Sequence, residues 1–176
     1  MNATEAVKTK LDVREFSPKP VPDSVKADVL QAARLTQSGT NSQHWRFILV
    51  QDPKNLKRMA DDSTSGKWVA GADFAMIVCT DPSKSYHMID AGRAAQDMQL
   101  TAWDHGVVSC LFTGIKAPEF RRDFGIPAGL SPTIVVGFGY PSKALSGRKK
   151  NRRPLPDVAF LERYGNRLGD EFIRNG

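Results

Sequence analysis

The densest chemistry in the sequence lies in Gly147 to Arg153, where Arg148, Lys149, Lys150, Arg152 and Arg153 fall within seven residues. A phosphate monoester carries close to two negative charges. Lys150 and Arg152, one residue apart on an irregular segment, can both reach it, the guanidinium in bidentate fashion. These five cations account for all but one of the six formal excess positive charges, so the sequence holds one basic site rather than a basic surface. A solvated face or an RNA contact would use the same residues. A nucleic-acid module, however, would interleave aromatic side chains with the charges, and none occurs between Tyr140 and Phe160.

Other chemistries find no support in the residue spacing. Gly137-Phe138-Gly139 lacks the third glycine of a dinucleotide fingerprint, and Pro141 blocks the turn into a helix. Gly66-Lys67 lacks the upstream glycine and the following hydroxyl of a phosphate loop. His44, His87 and His105 have no metal-ligand spacing, and there is no nucleophile elbow, so neither a metal site nor a protein-borne nucleophile is expected. Cys79 and Cys110 each sit in an apolar run without CxxC spacing and are expected to be buried, reduced thiols.

The elements that must position the basic site are those of one domain spanning residues 1–176, with a C-terminal arm from about 157. With 40% hydrophobic and 25% charged residues, the chain can bury a core. No apolar run approaches the roughly 20 residues of a membrane span, and no secretory signal is readable, so a cytoplasmic protein is expected. Thr4 is expected to cap a first helix to Lys10, and Asp23 or Ser24 a second to Leu35, with Val25, Val29 and Ala33 facing inward. Thr36 to Gln43 is a polar loop, and Asp52-Pro53 starts a helical turn. Strands are expected at Trp45–Val50, Phe74–Thr80, Val107–Phe112 and Pro132–Gly139, the second buried on both faces and central. Between them, Ala91, Ala95, Met98 and Ala102 form one stripe of a helix from Tyr86 to His105 that Gly106 ends, and Pro118 to Phe124 is a short helix. The class is α+β or α/β, and Trp45 and Phe47 read as core.

Three separated segments resemble the nitroreductase family of FMN-dependent enzymes, over residues 4 to 160. Lys10-Leu11-Asp12-Val13-Arg14-Glu15-Phe16 is similar to the family's opening element. Ser38-Gly39-Thr40-Asn41-Ser42-Gln43-His44-Trp45-Arg46-Phe47 is similar to its Asn-x-Gln-Pro-Trp-Arg-Phe signature. Lys150-Asn151-Arg152-Arg153-Pro154 resembles its phosphate-binding Lys-x-Arg, and Ser109 to Gly114 its strand and turn beside the flavin. Four departures stand out. Lys10 stands where arginine is usual, Asp12 replaces a common serine, and Gln37 and His44 replace prolines, the last two expected to loosen the loop.

The resemblance implies an α+β fold of three α-β-α layers around a sheet of about four to five strands, in an intertwined homodimer. It implies FMN held by Lys10, Leu11, Asp12, Arg14, Ser38, Gly39, Asn41, Thr113, Gly114, Lys150 and Arg152, with the 38–41 loop supplied by the other subunit. Hydride from NADH or NADPH would pass through the flavin to a small aromatic acceptor such as a nitroaromatic or quinone, without a catalytic side chain, nucleic acid or membrane partner. Relatives that use the same flavin site on other small molecules remain the alternative. Reduced flavin gathers negative charge near N1, and Arg14 is the candidate guanidinium to meet it. Backbone N–H groups at Thr113-Gly114 suit close approach of the ring, and the Asn41 amide can donate and accept hydrogen bonds.

Overall fold

The structure, a computed structural model, describes residues 1–145 and 150–173. Gly147, Arg148 and Lys149 of the basic run lie outside the described residues. The chain divides into two compact units, Met1–Leu145 and Ser146–Gly176.

The larger unit is built on the strand that the apolar run predicts. Strand β2 (Phe74–Thr80) is buried at every position, so it must be covered on both faces. It lies inside a four-stranded sheet ordered β1-β2-β4-β3, where β1 is Arg46–Val50, β3 Val108–Phe112 and β4 Ser131–Gly139. All three pairings are antiparallel.

Helices cover both faces. On one, Val25, Val29 and Ala33 of α2 (Asp23–Leu35) and Ala91, Ala95, Met98 and Ala102 of α4 (His87–Asp104) pack against Phe74, Met76 and Val78 of β2 and Ile134, Val136 and Phe138 of β4. On the other, Leu56, Met59 and Ala60 of α3 (Pro53–Asp61) and Phe120 of α5 (Ala117–Phe124) meet Ala75, Ile77 and Cys79. The result is the expected three-layer α-β-α sandwich. Alternate residues of β2 serve opposite layers, as the period of a strand requires.

Local chemistry differs from expectation at the helix starts. Asn2, not Thr4, caps α1 (Ala3–Thr9), its Oδ1 accepting from Glu5 N at 2.9 Å. Helix α2 begins at Asp23 with Pro22 as its N-cap and has no side-chain cap, because proline carries no side-chain acceptor for the first-turn amides. Asp52-Pro53 opens a nine-residue helix rather than a single turn, with Asp52 Oδ1 capping the Lys54 and Asn55 amides. Cys79 and Cys110 are free and buried, and burial pushes the Cys79 thiol up to about 11. No helix among the described residues is long and apolar enough to cross a membrane.

The smaller unit is irregular. It contains a 3-10 turn at Leu155–Asp157, a bridge from Phe160 to Arg167, and a short helix α5's successor, α6, at Asp170–Ile173. The Phe160 and Tyr164 rings meet in a tilted pair with centroids 4.6 Å apart, and Val158, Leu161, Tyr164 and Phe172 stay exposed.

Met98 has no exposed surface at the centre of the α2–α4–sheet layer. Met98→Ala should therefore cost about 2–5 kcal/mol in urea unfolding, whereas Tyr164→Ala should stay within about 0.5 kcal/mol. Equal losses would mean that α4 does not pack as described.

Candidate functional site

Strand β3 is an edge strand, and the segment after α1 runs along its outer side. Asp12 bridges Ser109 in parallel fashion, and Val13 N donates to Ser109 O at 3.0 Å. Further on, Phe16 bridges Pro141 and Ser17 N donates to Tyr140 O at 2.8 Å. Because backbone groups alternate along a strand, the outward-facing Ser109 carbonyl implies that the Leu111 N–H and C=O also point outward. Leu111 is partly exposed there, with no further strand of the sheet beside it among the described residues.

This docking sets the basic side chains. Arg14 is exposed, and its Nε donates to Cys110 Sγ at 3.4 Å while the guanidinium carbon stands 6.0 Å from the Trp68 ring centroid. Lys10 is buried along its length and its Nζ bonds Asp12 Oδ1 at 2.5 Å. The acidic departure at position 12 thus turns onto Lys10 and balances its charge. Leu11 is half-buried between them. At the end of β3, Thr113 is exposed, Gly114 O accepts from Thr64 N at 2.8 Å, and Ile115 N donates to Thr113 O at 2.8 Å. Lys10, Leu11, Asp12, Arg14, Thr113 and Gly114 are therefore brought together along one sheet edge.

The loop that carries Ser38, Gly39 and Asn41 is elsewhere. Cys110 is opposite Gly137 on β4, and Gly137 opposite Ala75 on β2, which puts Arg14 near the start of β2. His44 instead accepts from Asp81 N at 3.2 Å, just past the end of β2. Six residues of strand separate these levels, roughly 20 Å along the sheet. Within one chain the two halves of the predicted site do not meet.

The loop is held in a conformation that side chains resist. Thr40, Asn41 and Gln43 all have positive φ, of 52°, 53° and 45°, a cost of order 1–3 kcal/mol for each. Three contacts hold the loop in place. The Gly39 N–H donates to Asp90 Oδ2 at 3.0 Å, Gln43 N donates to Ser38 Oγ at 3.0 Å, and Thr40 Oγ1 lies 3.2 Å from Tyr86 Oη. Gly39 is required by space, since a Cβ there would come within 2.5 Å of the Tyr86 ring.

His44 completes the anchor. Its Nδ1 accepts from the Asp81 amide, so the proton sits on Nε2 and is donated to Asp90 Oδ2 at 3.1 Å, with both side chains buried. The expectation that a histidine in place of proline loosens this loop is therefore wrong. Both ring nitrogens tie it down, one to β2 and one to α4. Asp90 lies 46 residues away, so no local pattern could have revealed the pairing.

Removing this anchor leaves a buried carboxylate short of a donor. His44→Ala should cost about 1.5–3 kcal/mol, read by urea unfolding, and should open residues 38–44 to limited proteolysis. A loss below about 0.5 kcal/mol with unchanged cleavage would show that the pair does not hold the loop.

Comparison with known proteins gives this architecture its place. The profile of the Nitroreductase family matches residues 7–84 and 66–140. A protein of Archaeoglobus fulgidus, provisionally named NADH dehydrogenase/NAD(P)H nitroreductase, is 30% identical over 166 residues, covering 89% of this chain and 95% of its own. A protein of Methanothermobacter thermautotrophicus with the same provisional name is 30% identical over 175 residues, covering 93% and 88%. Among solved structures, an FMN-dependent nitroreductase from Clostridium difficile superposes with a TM-score of 0.81 at 22% identity over 88% of this chain and 96% of its own. A provisionally named NADH dehydrogenase/NAD(P)H nitroreductase from Bacteroides thetaiotaomicron reaches 0.83 at 25% identity, over 91% and 98%. Sequence and fold agree: the chain belongs to the nitroreductase family.

Proposed function

We propose that this protein is an FMN-dependent oxidoreductase that passes a hydride from NADH or NADPH to a small aromatic acceptor, such as a nitroaromatic or quinone, and works as a homodimer. The observation that carries the reading is the exposed Arg14 guanidinium beside the open outer edge of β3, in a chain of the nitroreductase family. FMN is named for the Clostridium difficile structure, and NAD(P)H for both archaeal relatives.

The residues present fit a flavin. Nε of Arg14 is engaged by Cys110, and among the described residues no hydrogen-bond partner engages its terminal nitrogens. Two donors in a planar fork suit the N1 and C2-carbonyl edge of a flavin. The outward Leu111 backbone groups and the Thr113-Gly114 turn offer main-chain donors and acceptors to a planar polar ring. Bound FMN supplies the hydride-carrying centre, and the protein supplies binding, orientation and electrostatics.

Arg14 places positive charge where the reduced ring becomes negative, which favours the reduced form without any reorganisation of solvent. Lys10 and Asp12 form a pair of nearly zero net charge, so it adds little to phosphate binding. That role falls to Lys150 and Arg152, on the strength of their Lys-x-Arg spacing. Ser38, Gly39 and Asn41 complete the site of a second copy, a role supported by their distance from Arg14 in their own chain. The exposed Val158, Leu161, Tyr164 and Phe172 of the smaller unit support an apolar contact between copies.

The purified protein should show a flavin spectrum that survives gel filtration, release FMN on heating, and oxidise NADH or NADPH when a quinone is supplied. A colourless protein that takes up no FMN at micromolar concentration, and binds RNA in a salt-sensitive way instead, would overturn the reading. Arg152→Ala should weaken FMN retention by about tenfold or more, as loss of a charge-assisted bond does, and Arg148→Ala by much less. Equal effects would reduce the basic run to diffuse charge.

A further inference from the structure

We propose that Cys110 and Trp68 are positioning residues for Arg14: the sulfur and the indole face together hold the guanidinium in one orientation at the edge of β3. The inference rests on the flavin reading above and goes beyond it, since neither residue touches the cofactor in that reading.

An arginine on an exposed, irregular segment normally samples many rotamers. Here two contacts of different kind restrain it. The bond from Nε to Cys110 Sγ fixes one corner of the guanidinium, and the Trp68 face, 6.0 Å from its carbon, limits how the plane can turn. With Nε engaged, the two terminal nitrogens are left as a fork of set direction.

The brace is itself rigid. Cys110 is buried in the middle of β3. Trp68 sits in the 3-10 turn Lys67–Gly71, edge-on to Phe112 at 5.8 Å and tilted against Phe16 at 6.2 Å. Gly137, the cross-strand partner of Cys110, makes room for the indole, because a Cβ there would stand 2.7 Å from Trp68 Cζ3. Strand β4 thus carries a glycine at the one level where the ring must pass.

Stability alone does not account for this choice of residues. Trp68 Nε1 is buried and has no hydrogen-bond partner among the described residues, a penalty that phenylalanine at the same place would avoid. Tryptophan offers the strongest face to a cation. A thiol is a weak acceptor that still directs a guanidinium N–H. What the arrangement gains is a donor pair already aimed before the ligand arrives, and preorganised donors act most strongly where charge develops.

The test uses the full chain loaded with FMN and compares wild type, Cys110→Ala, Cys110→Ser, Trp68→Leu and Arg14→Ala. The measurement is the ratio of dissociation constants for reduced and oxidised FMN. Cys110→Ala and Trp68→Leu should each raise the ratio about tenfold, a fall of about 30 mV in the two-electron potential, with melting temperatures showing that the variants fold. Cys110→Ser, which keeps an acceptor, should stay nearer wild type. In protein without flavin, the Arg14 Nε–H should exchange with solvent slowly by NMR, and faster in Cys110→Ala. Ratios within twofold of wild type for both brace variants, against a tenfold change for Arg14→Ala, would overturn the proposal. So would an unchanged ratio in all four variants, or Nε–H exchange equally fast in wild type and Cys110→Ala. The exchange measurement decides the brace even if no FMN binds, an outcome that would separately overturn the flavin reading.

Discussion

The arrangement of the candidate site depends on one main-chain contact, the hydrogen bond from Val13 N to Ser109 O that lays the segment after α1 along the outer edge of β3. An edge strand left bare would invite pairing with another chain. Covering only its first half protects the start of β3 and leaves the backbone groups of Leu111 facing outward. The same contact puts Arg14 against Cys110 and lets Asp12 fold back on Lys10. Moving this segment by one residue would send Arg14 to the opposite side, because side chains alternate.

At the far end of the sheet the constraint is different. Residues 38–44 hold three non-glycine residues at positive φ, a conformation that persists only where its surroundings over-determine it. Asp90 and His44 provide that. A buried carboxylate accepts from a ring N–H and a loop amide, and the other ring nitrogen accepts from the strand end. In the proposed dimer this stiffness matters, because a loop that completes a partner's site must be shaped before it docks. Both ends of the sheet thus spend stability on fixed geometry, Trp68, whose buried N–H has no partner among the described residues, at one and the strained loop at the other.

Much of the fold was legible in the sequence where physics is local. The unbroken apolar run Phe74–Thr80 announced a strand covered on both faces, and the stripe of alanines at 91, 95 and 102 with Met98 announced a closely packed helix. Strand ends fell within one residue of expectation. The departures are tertiary or subtle. Asn2 outcompeted Thr4 as a cap, and the antiparallel order β1-β2-β4-β3 is not written in any single strand. His44 with Asp90 and Arg14 with Cys110 join residues 46 and 96 positions apart. Type and spacing singled out Arg14 and the 38–44 loop as candidates. They did not reveal that the two lie at opposite ends of the sheet, or that a histidine would stiffen the loop rather than loosen it.

The most direct test of the account is a crystal structure of the protein with FMN bound. It should show the N1 and C2-carbonyl edge of the ring within hydrogen-bond distance of the Arg14 terminal nitrogens, the ring against the outer edge of β3, and Asn41 of a second copy approaching the same ring. Flavin bound away from Arg14, or a ring contacted only by residues of one chain, would contradict it.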